Sequence, residues 1–521
     1  MQISKIAWIV LCCLIVPGLP VHADDLDLLR QLGETTEETF LEGLEETEDD
    51  VDLAGAAESG LDGSLASLTD EADQDESSAG TIPYTVNGYL KPIINWNRSA
   101  YSDELWVQYQ QLAGYGHSIP DEQTESGYTY AGARAQVSLE AYLGDRARLF
   151  SAINLDYDMA EQISSEDHEA TTEENQDTQT ASVRMVESFV ELYEGSRTWK
   201  VGTQLVTWSF MEGYEVPTDR LNARDNTYVT SEYEDTKLAS SGIFLKQEIG
   251  DSAIEVAFIP VGKVNINPTF TEYLFPGGSE TREAKAENSK WATRLVGSLS
   301  KLDVAISYVD GTDPQSDTAL LDSSGDEMEY DPSSSLSQLL TDMNEHNRAK
   351  RVYHRLKSVG LDLQLGLSSW IPKLSAVQYV TKDEDGDDPF IKNSWSQYLL
   401  GGEFKLGSAT LNLYAGRQTV ENYREENPLD LKTNYLNGQR REITNIVSGS
   451  FDIDFLTGNA LKFNMMFAGY WDEESEPVES KVKAYLKYKI TNGLEIYFAV
   501  SHIDVEGTRL ADYQAEIKYS I

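Results

Sequence analysis

Along most of this chain, apolar and polar side chains take turns at every second position. The pattern is plainest at the end. Val482, Ala484, Leu486, Tyr488 and Ile490 alternate with Lys481, Lys483, Tyr485, Lys487 and Lys489. After Thr491-Asn492-Gly493, Leu494, Ile496, Phe498 and Val500 alternate with Glu495, Tyr497, Ala499 and Ser501. Tyr513, Ala515, Ile517, Tyr519 and Ile521 then alternate with Asp512, Gln514, Glu516, Lys518 and Ser520. A period of two predicts strands with one apolar and one wet face. Strands of about ten residues are long enough to span a membrane. Four lysines on one strand face cannot sit unpartnered in a dry core, whereas a water-filled lumen solvates them.

The same alternation predicts strands along the chain from Tyr84 onward. A very clear one covers 128–143. There Ala133, Ala135, Val137 and Leu139 oppose Arg134, Gln136, Ser138 and Glu140, and a Gly144-Asp145 turn follows. Further strands are expected at 183–193, 199–208, 238–249, 253–259, 291–299 and 302–309. Others follow at 359–365, 374–380, 397–406, 410–418, 443–455 and 461–470. Short turns alternate with long polar inserts such as 164–180 and 310–348, the second with a short helix expected at 336–343. The pattern predicts an all-β fold: a transmembrane antiparallel β-barrel of about 16 to 18 strands with long extracellular loops.

Composition divides the chain into three parts. Residues 1–23 have the layout of a signal peptide: Lys5, an apolar run from Ile6 to Val16, and a Val21-His22-Ala23 cleavage signal. Cys12 and Cys13 lie in that run, so a mature chain starting at Asp24 has no disulfide, thiolate metal site or cysteine nucleophile. Residues 24–80 are an acidic N-terminal arm whose only basic residue is Arg30. It is expected to be mostly disordered or short-helical in the periplasm, with plugging or partner docking as alternatives. Residues 81–521 form the barrel. With this export signal and pattern, the expected location is the outer membrane of a Gram-negative bacterium.

The formal charge of −47 disfavours nucleic acid, and no basic patch with interleaved aromatic residues offsets it. The aromatic residues Trp199, Trp208, Trp291, Trp370, Trp395 and Trp471 fall near expected strand ends. There they suit membrane-interface girdles, with sugar-stacking platforms as the rival for any that face the lumen.

One hairpin carries a family resemblance, and the stretches Glu255-Val256-Ala257-Phe258-Ile259-Pro260-Val261 and Lys290-Trp291-Ala292-Thr293-Arg294-Leu295 resemble later strands of the same family. Val183-Arg184-Met185-Val186-Glu187-Ser188-Phe189-Val190-Glu191-Leu192-Tyr193 leads into Trp199-Lys200-Val201-Gly202-Thr203-Gln204-Leu205-Val206-Thr207-Trp208-Ser209, then into the loop from Pro217 to Asp225. It resembles a hairpin of proteobacterial outer-membrane β-barrels of unknown function and is similar to alginate-export-like porins. Thr203 stands where that pattern has arginine, and Ser209 where it has glycine. Members often accompany exporters of the RND type. The resemblance therefore implies an inner-membrane RND-type exporter as a partner, beside outer-membrane lipid and the barrel-assembly machinery.

No catalytic constellation stands out, and the chain is not expected to be an enzyme. Ser501 and His502 are strand neighbours, so they point to opposite faces. The expected pore-lining residues are Arg134, Arg148, Lys200, Arg294, Lys405, Lys462, Lys481, Lys483, Lys487 and Lys489. They either draw anions along a pore or pair with Asp156, Glu191, Glu403, Glu495 and Glu516 to stiffen the wall. No cofactor is expected, with one exception. Asp383, Asp385 and Asp387 surround Gly386 as hard oxygen donors and form a calcium candidate, although Ser394 occupies the position where an EF-hand loop needs glutamate. The function expected is an outer-membrane channel, porin-like or part of an export route. The alternatives are an outer-membrane enzyme on lipid or polymer, and a sheath or receptor for a partner protein.

Overall fold

The computed structural model describes residues 83–100, 124–160, 181–214, 216–226, 228–266, 285–320, 349–383, 385–386, 391–423, 441–456, 460–505 and 508–520. The arm at 24–80, the helix expected at 336–343 and Asp387 lie outside them.

The chain forms β1 (Tyr84–Ala100), β2 (Thr124–Tyr142), β3 (Ala147–Asp158), β4 (Ala181–Glu194), β5 (Arg197–Gln204), β6 (Ala223–Arg224), β7 (Lys237–Leu238), β8 (Ser240–Ile249), β9 (Ser252–Ile259), β10 (Lys290–Leu299) and β11 (Leu302–Thr312). It continues with β12 (Asp317–Leu320), β13 (Ala349–Val352), β14 (Arg355–Leu365), β15 (Trp370–Val380), β16 (Trp395–Leu406), β17 (Ala409–Val420), β18 (Ile443–Asp454), β19 (Leu461–Trp471), β20 (Pro477–Lys489), β21 (Leu494–Val505) and β22 (Thr508–Ser520). The short pairs β6–β7 and β12–β13 stand apart, and the other strands make one 18-stranded sheet. Each strand pairs antiparallel with the next. β22 then returns to β1, with Ile93 opposite Glu516 and Ala100 opposite Arg509. The sheet is therefore a closed barrel, which leaves no strand edge unpaired.

The two faces separate as the alternation requires. Val137, Leu155, Leu295, Ile306, Val359, Leu400 and Phe498 stand exposed on the outer wall. Their strand neighbours Arg134, Asp156, Arg294, Asp362 and Glu403 point the other way and take polar partners. Tight turns join the strands at one end. Gly144, Gly195, Gly250 and Gly407 take φ of 59° to 67° there, a backbone that glycine adopts without a Cβ penalty. The long connections all lie at the other end.

The aromatic residues divide in a way the sequence reading did not foresee. Trp291, packed on Phe258, and Trp370, stacked on Phe404, stand on the outer wall near opposite rims of the barrel. That is the girdle arrangement. Trp208 and Trp395 correct the expectation, because both are buried. Trp395 stacks on Tyr379 with ring centroids 4.4 Å apart. Trp208 is not on a strand at all: β5 ends at Gln204, and the chain after it turns inward.

Candidate functional site

The segment after β5 runs from 205 to 239, and it does not stay at the rim. It folds into the barrel and meets the wall on nearly every side. Three kinds of contact hold it there.

The first kind is apolar. Trp208 and Leu221 pack with Phe244, Ala257, Ile259, Ala292 and Val309 of β8 to β11. Met211, Tyr214 and Val216 pack on Leu399, Tyr414, Ile446, Ala468, Tyr470 and Val478 of β16 to β20. These wall residues occupy inward positions, so at these levels the strands that carry them are apolar on both faces. Burying such a side chain stabilises by about 1.5–3 kcal/mol, which favours the inserted position over a hydrated loop.

The second kind is polar and reaches the far wall. Thr218 donates its hydroxyl to both oxygens of Asp362 on β14, at 3.0 and 2.9 Å. Tyr379 on β15 donates to the carbonyl of Pro217, and Arg220 Nε donates to the Tyr379 hydroxyl at 3.1 Å. Lys290 on β10 donates to the carbonyls of Arg220 (3.1 Å) and Leu221 (3.4 Å). Two wall glycines make room. A Cβ at Gly360 would lie 2.7 Å from Thr218 Cγ2, and one at Gly311 would lie 2.6 Å from the Lys290 side chain.

The third kind is charged and sits across the closing seam. Ser231 donates its N–H to Glu516 Oε1 at 2.8 Å, and Glu516 is also ion-paired with Lys91 at 2.9 Å. Lys483 donates to the carbonyl of Thr230. Arg134 holds Asp156 at 2.5 Å and donates to the carbonyl of Val229 at 3.0 Å. The guanidinium groups of Arg134 and Arg184 both stack on the Tyr228 ring, 3.8 and 3.9 Å from its centroid. Asn154 donates to the Tyr228 hydroxyl at 2.7 Å. Burial pushes that phenol up to about 12, so it stays protonated. Within the segment, Lys237 pairs with Asp219 at 2.7 Å, and the one-turn 3-10 helix Tyr233–Thr236 precedes β7.

No protein-family model matches the sequence, and no curated protein matches it. Several solved structures are similar to the chain over most of its length. OccAB4 of Acinetobacter baumannii is 10% identical over 84% of this chain and 98% of its own, with a TM-score of 0.45. The outer membrane protein OpdK of Pseudomonas aeruginosa is 8% identical over 84% of this chain and 99% of its own, with a TM-score of 0.45. OccK9 (OpdG) of Pseudomonas aeruginosa is 10% identical over 84% of this chain and 98% of its own, with a TM-score of 0.47.

The basic residues singled out from sequence sit mostly in ion pairs. Arg148 meets Glu140 at 2.6 Å and Glu191 at 3.2 Å, and Lys200 meets Glu191 at 3.5 Å. Arg294 lies 3.6 Å from Glu255. Lys405 lies 3.6 Å from Glu403, which Lys373 also meets at 3.5 Å. Lys462 pairs with Asp452 at 3.0 Å, Lys481 with Glu479 at 3.0 Å and Lys487 with Glu495 at 2.9 Å. Lys489 ends β20 beside the tight turn. Sequence reasoning missed Lys91, Arg184, Lys290 and Asp362, which hold the inserted segment or its anchors. Their signal was present: each is a charged residue within a strand whose other face is apolar.

Ser501 and His502 do lie on opposite faces, and Ser501 donates to Asp512 at 3.0 Å. Asp383 caps its own turn by accepting the N–H of Gly386 at 2.9 Å, while Asp385 is exposed. Among the described residues, no group of three or more His, Cys, Asp or Glu side chains is arranged to hold a metal ion.

Proposed function

We propose that this chain is a solute channel of the outer membrane of a Gram-negative bacterium, narrowed by the segment 205–239. The observation that carries the reading is the pairing of a closed 18-stranded wall with a polar lumen. The outer wall is apolar and suits lipid. The inner wall carries charges on most strands, which a water path requires and a dry filling would penalise. Passage is passive diffusion past the inserted segment. The tight-turn end, where both chain ends of the barrel lie, faces the periplasm, and the long connections face outward. The wall contacts outer-membrane lipid, and insertion depends on the barrel-assembly machinery.

A second reading refines the first: the channel is the outer part of an export route fed by an RND-type pump. The stretch that resembles exporter-associated barrels, from Val183 to Asp225, includes the β4–β5 hairpin and most of the inserted segment.

Single-channel recording of the refolded chain in planar bilayers tests the channel reading. Discrete conductance steps support it. A barrel that stays sealed, even after 209–236 is replaced by a short glycine-serine link, contradicts it.

A further inference from the structure

The two signs of charge in the lumen are not answered alike. The paired cations described above each have a carboxylate within reach. Lys290 and Lys483 donate to backbone carbonyls of the inserted segment, and Lys483 also lies in electrostatic reach of Glu516 and Asp512. Two cations share one carboxylate at the tight-turn end, where Lys373 and Lys405 both meet Glu403.

Beside the inserted segment the balance reverses. Asp512 accepts hydrogen bonds from neutral donors, the Asn97 amide at 2.8 Å and the Ser501 hydroxyl at 3.0 Å, with the Lys483 ammonium in electrostatic reach. Glu187 accepts the N–H of Leu205 at 2.8 Å. Asp362 takes hydroxyls, with Thr218 at 2.9 Å, and has the Arg294 guanidinium in electrostatic reach. On the segment itself, the carboxylates of Glu212, exposed, and Glu232, half-buried, have no hydrogen-bond or ion-pair partner among the described residues. Charges left unanswered at the narrowest level set the selectivity of a pore, because a paired charge presents little net field to a passing ion.

We propose that the passage beside the segment 205–239 selects cations, so that cationic solutes are favoured over anionic ones. This rests on the channel reading and adds the charge class of the solute. It also decides between the two roles open to the lumenal lysines and arginines: they brace the wall and do not form an anion path.

The test is the reversal potential of the refolded full chain in a potassium chloride gradient, with K⁺ and Cl⁻ as the probes. The native chain is expected to prefer K⁺. Glu232→Gln and Glu212→Gln remove charges that hold nothing in place, so the fold is expected to survive. Each should lower the K⁺ to Cl⁻ permeability ratio about twofold, the effect of one unit charge at moderate distance in a water-like medium. Asp512→Asn should act in the same direction, and heat-modifiable gel migration confirms the fold of every variant. A native preference for Cl⁻, or a ratio unmoved with both Glu212 and Glu232 neutralised, overturns the inference while leaving the channel intact. The absence of any conductance in the native chain overturns the channel reading itself, and the inference with it.

Discussion

Thr218 and Asp362 are 144 positions apart in the chain, yet the threonine hydroxyl lies 3.0 and 2.9 Å from the two carboxylate oxygens. One residue is in the inserted segment, and the other is on the inward face of β14. Asp362 is 1% exposed. A carboxylate that deep needs donors, and the inserted segment supplies one of them. The contact fixes where the segment ends its crossing.

Thr218→Val removes the donor and leaves the buried carboxylate short of a partner, at a cost of about 1–3 kcal/mol. The cost falls on the docked position of the segment, because the strands of the wall keep their own hydrogen bonds. Larger or noisier single-channel currents are expected, with unchanged heat-modifiable migration. Currents indistinguishable from the native chain would show that this contact does not hold the segment.

Gly360→Val tests the same spot from the wall. A Cβ there would stand 2.7 Å from Thr218 Cγ2 and 2.6 Å from Ser307 Oγ. The side chain occupies the volume now taken by Thr218, so the segment tip is displaced. Faster proteolytic cleavage within 205–239 is expected, while the barrel itself stays protease-resistant.

Trp208→Ala probes the apolar anchor. Trp208 is 4% exposed and packs among Leu221, Phe244, Ala257, Ile259, Ala292 and Val309. Removing a buried aromatic side chain of this size costs about 3–5 kcal/mol. Unlike Thr218→Val, this change should free the first part of the segment, at 205–211. Hydrogen exchange resolved by peptide distinguishes the two variants.

These anchors also explain what the sequence revealed and what it concealed. Alternation was enough to show the wall, because lipid outside and water inside impose opposite demands on successive residues of every strand. It failed at Leu205–Trp208, where apolar residues looked like the end of a strand and proved to be the start of the inserted segment. Phe258-Ile259, Leu399-Leu400 and Ile446-Val447 are apolar doublets within strands that otherwise alternate. Their inward members, Ile259, Leu399 and Ile446, are the ones that receive the segment. Such doublets are a usable signal for a loop that folds into a barrel. The partners across the lumen were not legible, because nothing local in Asp362 or Glu516 names Thr218 or Ser231.

Above the barrel, a second tether makes a pH prediction. Lys392 donates to Asp313 at 3.1 Å and to the carbonyls of Gln315 and Ser316, and it lies 3.3 Å from Asp317. His354 meets Asp317 at 2.8 Å. Burial alone would push Asp317 up, but the Lys392 ammonium and His354 outweigh it and hold the carboxyl below its ordinary range. Burial likewise opposes the Lys392 charge, but Asp313 and Asp317 outweigh it and hold the ammonium above its ordinary range. The depressed carboxyl stabilises above its unfolded value, and that contribution is lost as pH falls through the folded one. The raised ammonium stabilises below its unfolded value, and its contribution is lost as pH rises through the folded one. The tether should therefore hold across the neutral range and release in strong acid or strong alkali. Limited proteolysis near 313–317 and 391–393 reads this directly. Lys392→Met leaves two buried carboxylates without their cation, at a cost of about 3–5 kcal/mol, and should release the same loops at neutral pH.

The most direct test of the inserted segment is a disulfide across the lumen. A Cβ at Gly360 would lie 3.6 Å from Thr218 Cβ, inside the range of about 3.5–4.5 Å that disulfides use. The chain's two cysteines, Cys12 and Cys13, are confined to its first residues. The double variant Thr218→Cys/Gly360→Cys, purified from the outer membrane and digested under non-reducing conditions, should yield a peptide pair joined through positions 218 and 360. Two free thiols, both open to alkylation in the folded barrel, would place the segment elsewhere and contradict the account.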